Sequence, residues 1–243
     1  MITHPFSNQP LNLKGIIGIL SLIIMAIFYS CDGSDIETTD QTGDLSFQVE
    51  WETVAAAAAG EDSEHYAAVP MELDCESADI TWVKAAVYNR YDELLAESPR
   101  WDCSDHAGTI QGVKKGLDRW VIILGMDEDL NLLYRGQESE VEVIENQITD
   151  AGLIVAHYFI PTGGAYNSAT DRLTWLPVIK ATSYEVQVAD DDDFTLLSAD
   201  MTVEDPMSDP LGLVSGSYYM RIRAMDYYDH QSAWSETWEF NVP

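Results

Sequence analysis

Apolar and polar residues alternate in short runs along most of the chain. Leu45, Phe47 and Val49 take turns with polar neighbours, the period-two signature of a strand buried on one face. Further strand-like runs lie at Ile80–Tyr88, Gly108–Val113, Arg119–Met126, Leu132–Arg135, Val141–Ile144 and Leu153–Ile160. Turn-forming residues separate them: Asn89, Gly116, Asp127–Asn131, Gly136 and Asp150–Gly152. Beyond Pro161 the alternation sharpens. Tyr184, Val186 and Val188 share a face, as do Tyr218, Met220, Ile222 and Ala224, and again Trp238, Phe240 and Val242. No run of helical period rivals these, and Ala55–Ala59 before Gly60 reads as a low-complexity loop. Many short strands at this spacing predict an all-β chain of antiparallel sandwiches. Roughly 200 residues fit two small β-domains or one larger one.

Two segments break the pattern. Gly15–Ser30 is an unbroken apolar run ending at Cys31, and Lys14 is the one charged residue before it. A spanning helix needs about 20 apolar residues, so this run is short for one. A cation, a short apolar core and a small residue at a cleavage point predict a signal peptide over 1–30. Ser30–Cys31 resembles the lipobox of bacterial lipoproteins, with Phe28 where Leu is usual and a bulky Tyr29. That resemblance implies a lipid on Cys31 as the mature N-terminus, attachment to a membrane through several acyl chains, and a place in the cell envelope facing the periplasm or the exterior. An ordinary signal peptide or an uncleaved anchor is the alternative. Residues 31–44, polar and acidic after Cys31, read as a tether.

Charge narrows the partners. The chain carries 12 Lys and Arg against 42 Asp and Glu, a net charge of -30. Such a surface repels nucleic acid, whose binding relies on Lys and Arg at phosphates, and solubility is the plain reason for it. With Cys31 acylated, Cys75 and Cys103 remain, and export favours a disulfide between them. Two separate buried thiols are the alternative. Nothing in the spacing suggests zinc.

Two resemblances cover the rest. Residues 45–160 are similar to the prealbumin-like sandwiches of carboxypeptidase regulatory-type domains, through VKAAVYNRYDELLA, GTIQGVKKGLDRWVIILGMD and NLLYRGQ. Residues 161–243 resemble a fibronectin type III domain. There Trp175 matches the core Trp and Tyr218 the tyrosine corner, whose hydroxyl pins a loop between strands. No RGD tripeptide is present, so integrin binding does not carry over.

Candidate chemistry is sparse. The nucleophile-elbow, zinc-protease, P-loop and dinucleotide patterns are missing. The five His residues are scattered, and His106 near Cys103 reads as a loop histidine. Asp127, Asp129, Asn131 and Glu138 match several positions of a calcium loop, but Leu132 stands where that loop needs Gly. Asp190–Asp193 reads as a solvated turn. No metal, cofactor or catalytic residue is therefore assigned. If Val83, Ala85 and Val87 face inward, Trp82, Lys84 and Tyr88 line the opposite face. Trp82 and Tyr88 are then the candidate binding residues for a sugar or a protein, unless a neighbouring sandwich covers them. The chain reads as a non-enzymatic, membrane-anchored binding scaffold for an unidentified protein partner, or as an accessory that captures carbohydrate.

Overall fold

A computed structural model describes residues 41–52 and 73–243. The signal segment, Cys31 and the Ala55–Ala59 loop lie outside the described residues. The described strands all belong to one compact unit, Thr39–Pro243.

The first sheet contains β1 (Thr42–Trp51), β2 (Trp82–Tyr88), β3 (Leu94–Glu97), β4 (Trp101–Asp102), β5 (Ala107–Lys114), β6 (Gly116–Met126), β7 (Leu132–Val143) and β8 (Ile148–Tyr158). Their order is β3-β2-β6-β7-β8-β1-β5, with β4 also beside β2. β1 runs parallel to β8, while the other paired neighbours are antiparallel. β7 and β8 pair only through Tyr134, Arg135 and Gly136. The sheet turns over there, laying the apolar faces of β8, β1 and β5 on those of β2, β6 and β7. Leu45, Phe47, Val49 and Trp51 thus meet Val83, Ala85, Val121 and Ile123 in one buried cluster. Alternation produces this directly, because every second side chain on a strand points to the same side.

Several expected boundaries shift. Leu132–Arg135 and the run from Val141 belong to one strand, β7, which ends at Val143 just before Ile144, and Gly136 is no turn. A Cβ on Gly136 would stand 3.0 Å from Ile154 Cγ2 and 3.1 Å from the Val155 carbonyl oxygen. Glycine is there because β8 passes too close for a side chain. Asp150–Gly152 likewise lies inside β8, where the pairing with β1 shifts register between Ser46 and Gln48. Strands count backbone hydrogen bonds, and a bulge keeps the ladder going past turn-forming residues. β1 starts at Thr42, inside the stretch read as tether.

The remaining strands are β9 (Ala165–Asn167), β10 (Arg172–Thr174), β11 (Ser183–Ala189), β12 (Leu197–Val203), β13 (Gly216–Met225) and β14 (Trp238–Val242). They form a β9–β10 hairpin and a sheet ordered β12-β11-β13-β14. The expected faces are buried: Tyr184, Val186 and Val188 on β11, and Tyr218, Met220, Ile222 and Ala224 on β13. Trp175 lies edge-on to Tyr184 at 5.3 Å between ring centroids. The Tyr218 hydroxyl donates to the Val214 carbonyl at 3.1 Å, as a tyrosine corner requires.

The two sets of sheets share a core. Ala86 and Tyr88 of β2, Ile122 and Leu124 of β6, and Leu132 and Phe159 pack into the same cluster as Trp175, Val186 and Ile222. At the seam, the Ala233 N–H donates to the Leu132 carbonyl at 2.9 Å. Arg135 Nε donates to the Asp226 carboxylate at 2.6 Å, with both side chains almost wholly buried. The same carboxylate accepts the backbone N–H groups of Tyr228 and His230 and contacts His230 Nδ1 at 3.0 Å. Burial pushes the Asp226 carboxyl up. Hydrogen bonds from His230 and Arg135, with their charges, outweigh it and hold the carboxyl at about 2.

Cys75 and Cys103 form a disulfide, with Cα atoms 5.9 Å apart and a separation of 28 positions in sequence. Closing a loop of that length stabilises by about 3.5 kcal/mol in a chain-entropy treatment. Reduction is expected to lower the melting temperature by about 7–14 °C for a unit of this size. Calorimetry with and without reductant checks it, and an unchanged melting temperature would contradict it. For the seam, Asp226→Ala strands a buried guanidinium and is expected to destabilise by about 3–5 kcal/mol. Arg135→Met with Asp226→Asn removes both charges, keeps an acceptor for the two backbone N–H groups, and is expected to recover most of that loss in denaturant titrations. Because the folded carboxyl titrates at about 2 against an ordinary 3.8, its contribution is full above 3.8 and is lost as pH falls toward 2. Asp226→Asn is expected to flatten that part of the acid-stability profile.

Candidate functional site

Trp82 and Tyr88 sit at opposite ends of β2 and have different surroundings. Trp82 is half-buried, paired across the sheet with Met126 and Asp102, and the Arg100 guanidinium lies 6.0 Å from its ring centroid. Beside it, Lys84 forms an ion pair with Glu97 at 2.8 Å. Tyr88 is only 8% exposed, stacked on Tyr228 at 3.9 Å between centroids. Its hydroxyl is pushed up first by burial and then by the charges of Asp226 and Glu97. The expected exposed Trp/Tyr pair is thus not formed: the second set of sheets covers the β2 face at Tyr88 and leaves it partly open at Trp82 and Lys84. Asp92 completes the arrangement by accepting from the hydroxyls of Tyr227 and Tyr228 at 2.9 and 3.3 Å.

The acidic turns are occupied by their own backbone. Asp127 accepts both the backbone N–H and the side-chain amide of Asn131 at 2.8 Å, which closes a hairpin turn. Glu138 lies away in β7, opposite Val121 of β6. Asp191 accepts the N–H groups of Thr195 and Leu196, and Asp190 accepts from the Ser198 hydroxyl. The Thr195 hydroxyl first, then the Leu196 and Thr195 N–H groups, hold the Asp191 carboxyl below the usual carboxylate range. His106 Nε2 lies 3.6 Å from Cys75 Sγ, whose sulfur is in the disulfide. Among the described residues no group of three or more His, Cys, Asp or Glu is arranged to hold a metal ion.

A groove with ligand-like dimensions involves residues that sequence reasoning did not single out as functional. The first sheet does not close on itself, and between β5 and the segment joining β3 to β4 lies a groove of about 560 Å³. Half-buried Trp101 is its aromatic floor, backed from the core by the buried Phe47 ring 5.7 Å away and inclined at 46°. Gly108 permits that approach, since a Cβ there would come 2.6 Å from Phe47 Cζ and 2.9 Å from Trp101 Cζ2. Ser46, Gln48, Thr109, Asp105 and Asp150 supply polar walls, and among the described residues no Lys or Arg lines the groove. A second hollow of about 450 Å³ adjoins it, sharing Gln48, Asp105 and Ala107 and adding Glu50, His106 and Leu153. The disulfide holds Cys103 two residues beyond Trp101 and so fixes the segment carrying the ring. That covalent link was the available sequence signal: an aromatic two positions before a bridged Cys.

No family model and no curated protein matches the chain. Among solved structures, the crystallised FN1–FN3 domains of chicken CNTN1 are similar at 9% identity and a TM-score of 0.29, over 66% of this chain and 53% of that one. The chain spans about half the length of that structure. The fold rests on the chain's own geometry: the β12-β11-β13-β14 sheet facing a short hairpin, buried Trp175 and the Tyr218 corner place it among fibronectin type III and immunoglobulin-like β folds.

Proposed function

We propose that this chain is a non-catalytic binding scaffold, tethered by lipid on Cys31 to a membrane of a bacterial envelope. The observation that carries the scaffold reading is the seam. A shared apolar core, the Tyr88–Tyr228 stack and the buried Arg135–Asp226 pair join both sets of sheets into one body. Relative motion of modules is the ordinary expectation unless the interface is large and apolar. Here it is apolar, and surfaces built on it are held at fixed spacing. The acidic surface suits a solvated position and disfavours nucleic acid. The anchor rests on the sequence pattern around Lys14 and Ser30–Cys31. Trp82, with its partly open ring, remains a candidate contact for a protein partner.

A second reading, an accessory that captures carbohydrate, is favoured by the Phe47–Trp101 groove. Binding sites on sandwiches commonly lie on loops and sheet rims, where this groove is found.

The anchor is tested on the full chain produced in a lipoprotein-processing bacterium. Mass spectrometry is expected to find a mature N-terminus at Cys31 carrying acyl chains. Cys31→Ala is expected to leave an unprocessed precursor or a protein released from membranes. A lipid-free N-terminus at any other residue overturns the anchor. Substrate turnover that persists through rigorous purification overturns the non-catalytic part.

A further inference from the structure

We infer that the Phe47–Trp101 groove is a binding site for a neutral glycan, an inference that rests on the carbohydrate-capturing reading. Its volume of about 560 Å³ lies within the roughly 300–1,000 Å³ typical of small-ligand clefts. The lining decides the ligand class. An aromatic floor selects a flat apolar face, which a pyranose ring presents through its C–H groups. Above it, Ser46 and Thr109 supply hydroxyls, Gln48 an amide, and Asp105 and Asp150 carboxylates, so the walls offer many acceptors and few fixed donors. A ligand rich in hydroxyl donors satisfies them.

Charge excludes the main competitors. With no Lys or Arg among the described residues of the lining, an anionic ligand meets two carboxylates and no counter-charge there. A cationic peptide is not specifically attracted either. Acidic residues make up two of the 11 lining positions, the same share as 42 of 243 in the whole chain. Asp150 is also partly engaged, accepting the Gly152 N–H at 2.9 Å. The groove is therefore no more acidic than the rest of the protein; what distinguishes it is the aromatic floor.

The floor is built into the fold. Gly108 lets both rings approach β5, and the disulfide fixes the Trp101 segment from the other side. The Trp101 ring, packed on buried Phe47, is thus ordered before a ligand arrives, which reduces the entropic cost of binding.

The full chain would be titrated with short neutral oligosaccharides of glucose, mannose, xylose and N-acetylglucosamine. A uronate-containing oligosaccharide and an oligolysine peptide are the comparison arms, read by tryptophan fluorescence and calorimetry. At least one neutral oligosaccharide is expected to saturate, and Trp101→Ala to weaken it by about tenfold or more. Trp101 also packs against the core, so Thr109→Trp serves as a second variant. It fills the groove from an exposed position and is expected to weaken binding similarly with an unchanged melting temperature. Saturation by none of the neutral sugars, affinity unchanged in both variants, or binding of the oligolysine or the uronate alone overturns the proposal. Neither the N-terminal mass nor the seam measurements involve a sugar, so such a failure leaves the anchored-scaffold reading standing.

Discussion

The antiparallel pair β2–β6 has two buried faces, and most of the architecture follows from that. Val83, Ala85, Val87, Val121 and Ile123 point into one core, while Ala86, Tyr88, Ile122 and Leu124 point into the other. A strand pair covered on both sides has to be apolar at successive positions, as AAVY in β2 and VIIL in β6 are. It also requires two coverings. The folded-over β8, β1 and β5 supply one, and the fibronectin-like sheets supply the other. Neither covering is dispensable, because losing either would expose a continuous apolar surface.

The polar contacts at the seam orient what the apolar contacts hold together. Area burial is non-directional and would tolerate several dockings of one sheet on another. The Arg135–Asp226 pair does not. Moved out of register, it would leave two charges in a low-dielectric interior without partners, a far larger penalty than the modest net gain of the pair when made. Tyr88 on Tyr228 and the Asp92 contacts to Tyr227 and Tyr228 restrict the same loop from the first sheet's side.

The groove arises from incomplete closure. A sheet curling on itself either joins its two ends by hydrogen bonds or leaves exposed edges, which proteins blunt or cover. Here the ends are β3–β4 and β5, and the Phe47–Trp101 contact fills part of the space between them. An aromatic-floored cleft is what remains. Its rigidity comes from the disulfide beside Trp101 and from the absence of a Cβ at Gly108. These features also stabilise the fold, so stability and a preformed surface have a common origin.

How much of this was legible depends on the range of each interaction. The sequence by itself determined the strand faces of β1, β11 and β13, because alternation is a local pattern that burial on one side enforces. It pointed to Trp175 and Tyr218 through their likeness to one kind of sandwich, and it favoured the Cys75–Cys103 pairing over two separate thiols, a choice the structure made. The double burial of β2 and β6 was only half visible: a short apolar run shows that a strand is covered, not by what. Only the tertiary structure decided that Tyr88 belongs to the core, because its partner Tyr228 lies far along the chain. Arg135 and Asp226 are 91 positions apart, and each alone looks like a surface charge in a strongly charged chain. Trp101 carries no periodic signal in a two-residue strand, and its role depends on Phe47 and Gly108 arriving from β1 and β5. Local periodicity is set by the backbone, whereas the seam and the groove are set by which faces meet, and that is settled when the whole chain packs.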